Sequence, residues 1–156
     1  MKIRLFKNED AIDLSKLVAK TMKISNSKDY SLEYLKKDIS ERTPEFFIDR
    51  SKYLHCYVFL INNKIVGTGS IGPYWGKKDE SSLFNIFVDP VFQGQGIGKK
   101  IIITLENDSY FKQAKRIEIP SSITAVNFYI NLGYTFKDNI KSIDKEGLFR
   151  LEKFNV

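Results

Sequence analysis

The chain opens on an alternation. Lys2-Ile3-Arg4-Leu5-Phe6 exchanges polar and apolar residues one by one, which predicts a first strand. Asn8 or Asp10 caps the helix that follows, in which Leu14, Leu17, Val18 and Met22 recur at three- and four-residue spacing as one apolar stripe. Ser31 introduces a second helix with Leu32, Leu35 and Ile39 on one face. Thr43-Pro44 ends it, because a residue before proline avoids helical geometry. Strand formers run from Leu54 to Ile61, Asn62-Asn63-Lys64 turns the chain, and Ile65 to Ile71 returns as the second arm of a hairpin. Gly72-Pro73 and the polar stretch Gly76 to Glu80 make a loop. Leu83 to Val88 is an apolar run short enough for a buried strand, stopped by Asp89-Pro90. A helix follows with Ile97, Ile101, Ile102 and Leu105 on one face, then a strand over Arg116 to Ile119 and a short helix from Ala125 to Leu132 closed by Gly133. Tyr134 to Phe136 and Leu148 to Lys153 read as the last strands.

Early antiparallel strands followed by strand–helix–strand units predict an α/β (α+β) fold, a mixed sheet with helices on both faces. With 156 residues and no repeat, linker or low-complexity tract, the expectation is a single domain over residues 1–156. The 42% hydrophobic and 28% charged content excludes a disordered or fibrous chain. No apolar run approaches the ~20 residues of a membrane span, so no membrane is expected as a partner. The charged start does not read as a signal peptide. Cys56 is the single cysteine and cannot form an internal disulfide, which fits a cytoplasmic location. Lys and Arg outnumber Asp and Glu by 25 to 19, a net charge of +6. That balance permits nucleic acid, anionic lipid or a phosphate-bearing cofactor, and equally a merely solvated basic surface. No nucleic-acid-binding motif accompanies it, so no nucleic-acid partner is expected. Monomer and homodimer both remain open.

The residues with the clearest chemistry are Gln93-Gly94-Gln95-Gly96-Ile97-Gly98-Lys99, between a predicted strand and a predicted helix. A helix start leaves N–H groups unpaired and carries the positive end of the dipole, and glycines let a phosphate approach the backbone. Spacing rejects two nucleotide motifs. A P-loop would need glycine at Gln93 and a hydroxyl at Lys100; a dinucleotide fingerprint would need glycine at Lys99 and a place in the first strand–helix unit. What remains is Gln-x-x-Gly-x-Gly after a strand ending Val-x-Pro. The stretch from Leu83 to Lys99 resembles the acyl-coenzyme A motif of the GNAT acetyltransferases, and within them the ribosomal-protein alanine acetyltransferase branch. The resemblance implies that Gln93, Gly94, Gln95, Gly96, Ile97, Gly98 and Lys99 hold a pyrophosphate, and that Ile86, Phe87 and Val88 meet the pantetheine arm through their main chain. It further implies a GNAT-type sheet of about seven, mostly antiparallel strands.

A second stretch, Arg116 to Tyr134, is similar to another motif of that family: a strand, a short helix with Ala-x-x-Phe-Tyr, then Gly-Tyr. The resemblance implies that Tyr129 faces the thioester sulfur and protonates the departing thiolate; the alternative is an ordinary core aromatic. A base must also relieve an ammonium acceptor, whose pKa is ~10 for lysine and ~8 for an α-amino group. Many family members place a glutamate where this chain has Ser82. The ribosomal branch uses one where this chain has Glu118, although the link to Tyr129 is one residue shorter here. Alternation puts Glu118 on one strand face with Arg116, so a base and an ion pair are both open, with a water chain as a third route. The resemblance also implies that Ser122 contacts coenzyme A, since it stands where the family has a helix-start asparagine that helps hold the cofactor; its hydroxyl can still cap or donate. Lys100 reads either as a phosphate partner or as an exposed helix face. His55 and Cys56 belong to no cluster of metal-binding residues, and no metal is expected. Tyr74 and Trp75 read as an acceptor-pocket lining or as loop anchors. The resemblance thus implies an N-acetyltransferase that passes the acetyl group of acetyl-CoA to a primary amine of a small molecule or peptide. A non-catalytic acyl-CoA sensor on the same fold is the rival.

Overall fold

The two faces of the sheet can be read from single strands. In the strand His55–Ile61 (β2), Phe59 packs into one apolar cluster while Val58 and Leu60 pack into another. Lys64–Pro73 (β3) divides Val66 and Ile65 in the same way. A strand with apolar residues on both sides must be covered on both sides. The computed structural model, which describes residues 1–155, shows the covers. Ala11–Ser25 (α1), Leu32–Glu41 (α2) and Pro44–Arg50 (α3) supply Leu14, Leu17, Val18, Met22, Leu35 and Phe47 to one cluster. Ile97–Glu106 (α4) and Ser109–Gln113 (α5) supply Ile97, Ile101, Ile102, Leu105 and Phe111 to the other.

The remaining elements are Lys2–Leu5 (β1), Glu80–Val88 (β4), Arg116–Ser121 (β5), Val126–Asn131 (α6), Thr135–Phe136 (β6) and Phe149–Phe154 (β7). They complete a seven-stranded sheet in the order β1-β2-β3-β4-β5-β7-β6. All neighbours are antiparallel except β4 and β5. The mostly antiparallel sheet with helices on both faces is the one expected.

Two features of β4 break the regularity of the sheet. Its parallel pairing with β5 covers only Glu80↔Arg116, Ser81↔Ile117 and Ser82↔Glu118. Past Ser82 the strands part, and β4 from Leu83 to Val88 has no ladder partner on that side. On its other side the register with β3 slips between Thr68↔Phe87 and Ser70↔Phe84, with Asn85 at φ +51°. This is a bulge, which adds twist and re-aims the residues around it.

The structure differs from the sequence reading in places. Thr43-Pro44 ends one helix and also starts another: Thr43 accepts from the Phe46 N–H at 3.2 Å and Pro44 occupies the first helical turn, where its missing N–H costs nothing. α5 also lay unread, its Asp108 cap accepting from Tyr110. Asp10 does not cap α1 with its side chain. It accepts from Arg4 (2.7 and 3.0 Å) and from the Lys7 N–H (2.8 Å) across a 3-10 turn. Ser31 caps α2 as expected.

Candidate active site

Where β4 and β5 part, a cleft of ≈ 960 Å³ opens, within the ~300–1,000 Å³ typical of small-molecule sites. One wall is β4 with the glycine loop and the start of α4. The other runs from the end of α1 through α2 to the link between β5 and α6 and the turn at 145–148.

The glycine loop is held from behind by α1. Asp89, buried at the end of β4, accepts from the Val91 N–H at 3.0 Å and pairs with Lys20 at 2.9 Å. Burial pushes its carboxyl up, but the hydrogen bonds from Lys20 and Val91 outweigh this and hold it below the usual range. The Gln93 amide donates to Ser25 Oγ (2.9 Å) and to the Val88 carbonyl (3.1 Å). Gln93 therefore shapes the loop with its side chain. Gly94 and Gly96 sit at φ +79° and +81°, and a Cβ on either would meet nothing within 4 Å. The open space is in front of the helix start. The first N–H turned back into α4 is that of Lys100, to the Gly96 carbonyl at 3.2 Å, so Ile97, Gly98 and Lys99 have no intrahelical partner. Gly98 lies so near Phe128 that a Cβ there would stand 3.1 Å from its ring. Lys99 lines the cleft and Lys100 does not. Left-handed glycines, unpaired amides and the positive end of a helix dipole together make a place where an anion such as a phosphate can be held. Ile86, Phe87 and Val88, on the unpaired edge of β4, line the space leading from it.

Tyr129 is only 5% exposed, yet it lines the cleft. Its ring meets Phe128 edge-on at 5.3 Å and Tyr134 at 6.4 Å. No buried side-chain polar atom among the described residues lacks a partner, so its hydroxyl, which bonds no other protein group there, opens on the cleft. Burial pushes the phenol well above its ordinary value, so it stays protonated through the whole range in which amines titrate. Ser122 also lines the cleft. Its oxygen accepts from the Ala125 N–H at 3.1 Å, leaving the hydroxyl proton free to donate.

Glu118 is in a different place. It is 3% exposed and outside the cleft lining, where it pairs with Arg116, with Lys137 at 2.8 Å and with Arg150 at 3.8 Å. The geometry realises the ion-pair alternative in buried form. Replacing Glu118 by glutamine is expected to destabilise the protein by about 2 kcal/mol, below the ~3–5 kcal/mol of a fully buried pair, because Arg116 keeps Glu80 and Glu152, and Arg150 keeps Asp144. In a domain of this size that is a loss of about 4–8 °C in Tm. A scanning-calorimetry trace that does not move would show the cluster to be a solvated surface contact.

Several cleft residues had no reading in the sequence. Tyr30 and Tyr34 stack with ring centroids 4.5 Å apart, and burial pushes the Tyr34 phenol up to about 12. Their one-turn spacing was the available signal. Arg42 reaches the bulge, its Nε donating to Asn85 Oδ1 at 3.3 Å. Tyr74 and Trp75 lie outside the cleft: Tyr74 accepts from Lys137 at 3.3 Å, and Trp75 is 86% exposed. No residue of the loop at 72–82 lines this cleft. His55 lies outside it too, bound to Asp108 at 2.8 Å. Among the described residues no group of three or more His, Cys, Asp or Glu is arranged to hold a metal, and no helix is long and apolar enough to cross a membrane.

This sheet, parted beside a glycine-capped helix, defines a fold class that known structures share. The PaiA N-acetyltransferase of Thermoplasma acidophilum, solved with coenzyme A, superposes with a TM-score of 0.84 at 19% identity over 99% of this chain and 98% of that one. A GCN5-related N-acetyltransferase of Rhodopseudomonas palustris gives 0.80 at 21% identity, covering 99% and 95%. An aminoglycoside 6'-N-acetyltransferase solved with coenzyme A gives 0.70 at 13% identity, covering 99% and 97%. No curated protein matches the chain in sequence. The acetyltransferase (GNAT) domain family matches residues 21–148. The chain belongs to the GNAT acetyltransferase family; it is an acetyl-CoA-dependent N-acyltransferase with acetyl-CoA as cosubstrate.

Proposed function

We propose that the protein transfers the acetyl group of acetyl-CoA to a primary amine by direct attack. The observation that carries this reading is the position of Tyr129, a protonated phenol whose hydroxyl opens on the same cleft as the free amides of Ile97, Gly98 and Lys99. Acetyl-CoA supplies an activated acyl group on a thiol. The amides hold its pyrophosphate, and the unpaired edge of β4 at Ile86, Phe87 and Val88 takes the pantetheine arm. Main-chain groups beside the Asn85 bulge polarise the thioester carbonyl.

The magnitudes decide what Tyr129 does. A thiol titrates near ~8.5, and a phenol held above ~10 cannot hand it a proton without going uphill by at least ~2 kcal/mol. Tyr129 therefore acts chiefly by hydrogen-bonding the sulfur as it gains charge. The amine proton takes another path. Glu118 is surrounded by cations and lies outside the cleft, so the proton leaves through water in the open cleft, and the attacking amine is the neutral fraction present in solution. The likeness to the ribosomal-protein alanine acetyltransferase branch rests on motif residues alone. The glutamate that branch would use as base is the one engaged here. A single domain, a cytoplasmic location and a monomer or homodimer belong to the same proposal.

The test is a pH profile. With a responsive amine, kcat/KM should rise tenfold per pH unit up to the acceptor's own pKa and then level off. It should not fall again before pH 10, because Tyr129 remains protonated. Glu118→Gln should follow the same profile. A plateau set by an enzyme group near neutral pH, and lost in Glu118→Gln, would restore Glu118 as the base.

A further inference from the structure

The helix that carries Tyr129 is weakly held by its own sequence. α6 has six residues, and its N-cap Ala125 offers no side-chain bond. A helix so short has no stability of its own, so its position is set from outside. Two hydrogen bonds set the link that leads into it, and both come from the segment between α1 and α2. The Thr124 hydroxyl donates to Asp29 Oδ2 at 2.7 Å, and the Ile123 N–H donates to the Tyr30 hydroxyl at 2.8 Å. Tyr30 in turn donates to the Gly147 carbonyl at 2.7 Å, and Tyr34, stacked on it, donates to the Glu146 carbonyl at 2.7 Å. Gly147 is pressed so near that a Cβ would stand 3.3 Å from each ring. One phenol oxygen therefore joins the link before α6 to the turn before β7, and its ring lines the cleft.

We propose that Asp29 and Tyr30 are positioning residues that set the Tyr129 hydroxyl against the sulfur. The inference rests on the role proposed for Tyr129 in acetyl transfer. The glycine loop is held by other contacts, from Lys20 and Ser25. Losing the Tyr30 hydroxyl should therefore disturb Tyr129 and spare the cofactor. A displacement of order 1 Å at a reacting group can cost as much as ~10²-fold in rate. A link loosened at one of its two bonds should cost about tenfold.

A double-mutant cycle on kcat reads this directly. Tyr30→Phe keeps the stack on Tyr34 and removes the oxygen. It should lower kcat about tenfold with KM for acetyl-CoA unchanged within about twofold. In a Tyr129→Phe background the same substitution should cost less than about twofold, because there is no hydroxyl left to misplace. Asp29→Ala should behave like Tyr30→Phe, and Asp29→Asn, which keeps an acceptor oxygen for Thr124, should recover most of the rate. Equal losses in both backgrounds, or no loss in Tyr30→Phe alone, overturn the coupling while leaving Tyr129 in its role. A fully active Tyr129→Phe removes that role, and the coupling with it. Thermal melts of each variant separate these results from misfolding.

Discussion

Tyr129→Phe is expected to lower kcat by about 10- to 100-fold on any amine the enzyme accepts. A hydrogen bond to a group gaining full charge is worth about 1.5–3 kcal/mol, which by itself sets a loss of this size. The loss should appear in kcat, since the bond strengthens only as sulfur gains charge. Affinity for acetyl-CoA should hold, because Phe keeps the ring that packs on Phe128 and Tyr134. Stability should hold as well, because the hydroxyl opens on the cleft and its removal leaves no buried partner unpaired. Steady-state kinetics and calorimetry on the same preparation check all three, and wild-type kcat would take the tyrosine out of the mechanism.

Gly96→Val should weaken acetyl-CoA binding at least ~10²-fold, by removing two or more charge-assisted hydrogen bonds to phosphate. The side chain would stand in the open space in front of the α4 amides, and valine resists the left-handed backbone at φ +81°. Strain alone could damage a protein, so a matched control is needed. Gly76 has φ +73° and equally open surroundings, but lies outside the cleft. Gly76→Val should lose a similar amount of stability, of order 1–2 kcal/mol, and bind acetyl-CoA normally. Calorimetric titration of both variants decides. Equal weakening would mean that backbone strain, and no phosphate contact at Gly96, accounts for the effect.

Much of this was legible along the chain because it rests on local chemistry. Alternation in the first strand, runs of strand formers or apolar residues bounded by turn signals, and period-3.6 stripes gave the seven strands and the longer helices. Gly94, Gly96 and the helix behind them announced an anion site, since glycines let a phosphate approach the unpaired amides of a helix start. α3 and α5 were missed because short helices carry too few turns to show a stripe, although Thr43-Pro44 contained a start signal. The partners of Glu118 were beyond a sequence reading. Alternation gave Arg116 as a neighbour, but Lys137 and Arg150 arrive from distant segments once β7 pairs with β5. The wall of the cleft that faces β4 was hidden for the same reason. Tyr30 and Gly147 are 117 positions apart and meet only in the fold.

The central claim is that the cleft performs acetyl transfer to an amine, and free-thiol release by the wild-type protein tests it most directly. With acetyl-CoA and a panel of primary amines spanning small molecules and peptide N-termini, thiol should appear in proportion to enzyme and only where an amine is present. Mass spectrometry should find the matching acetylated amine. Tight, specific binding of acetyl-CoA with no amine-dependent thiol across the panel would contradict transfer, and would make the protein a sensor that keeps the cleft without the chemistry.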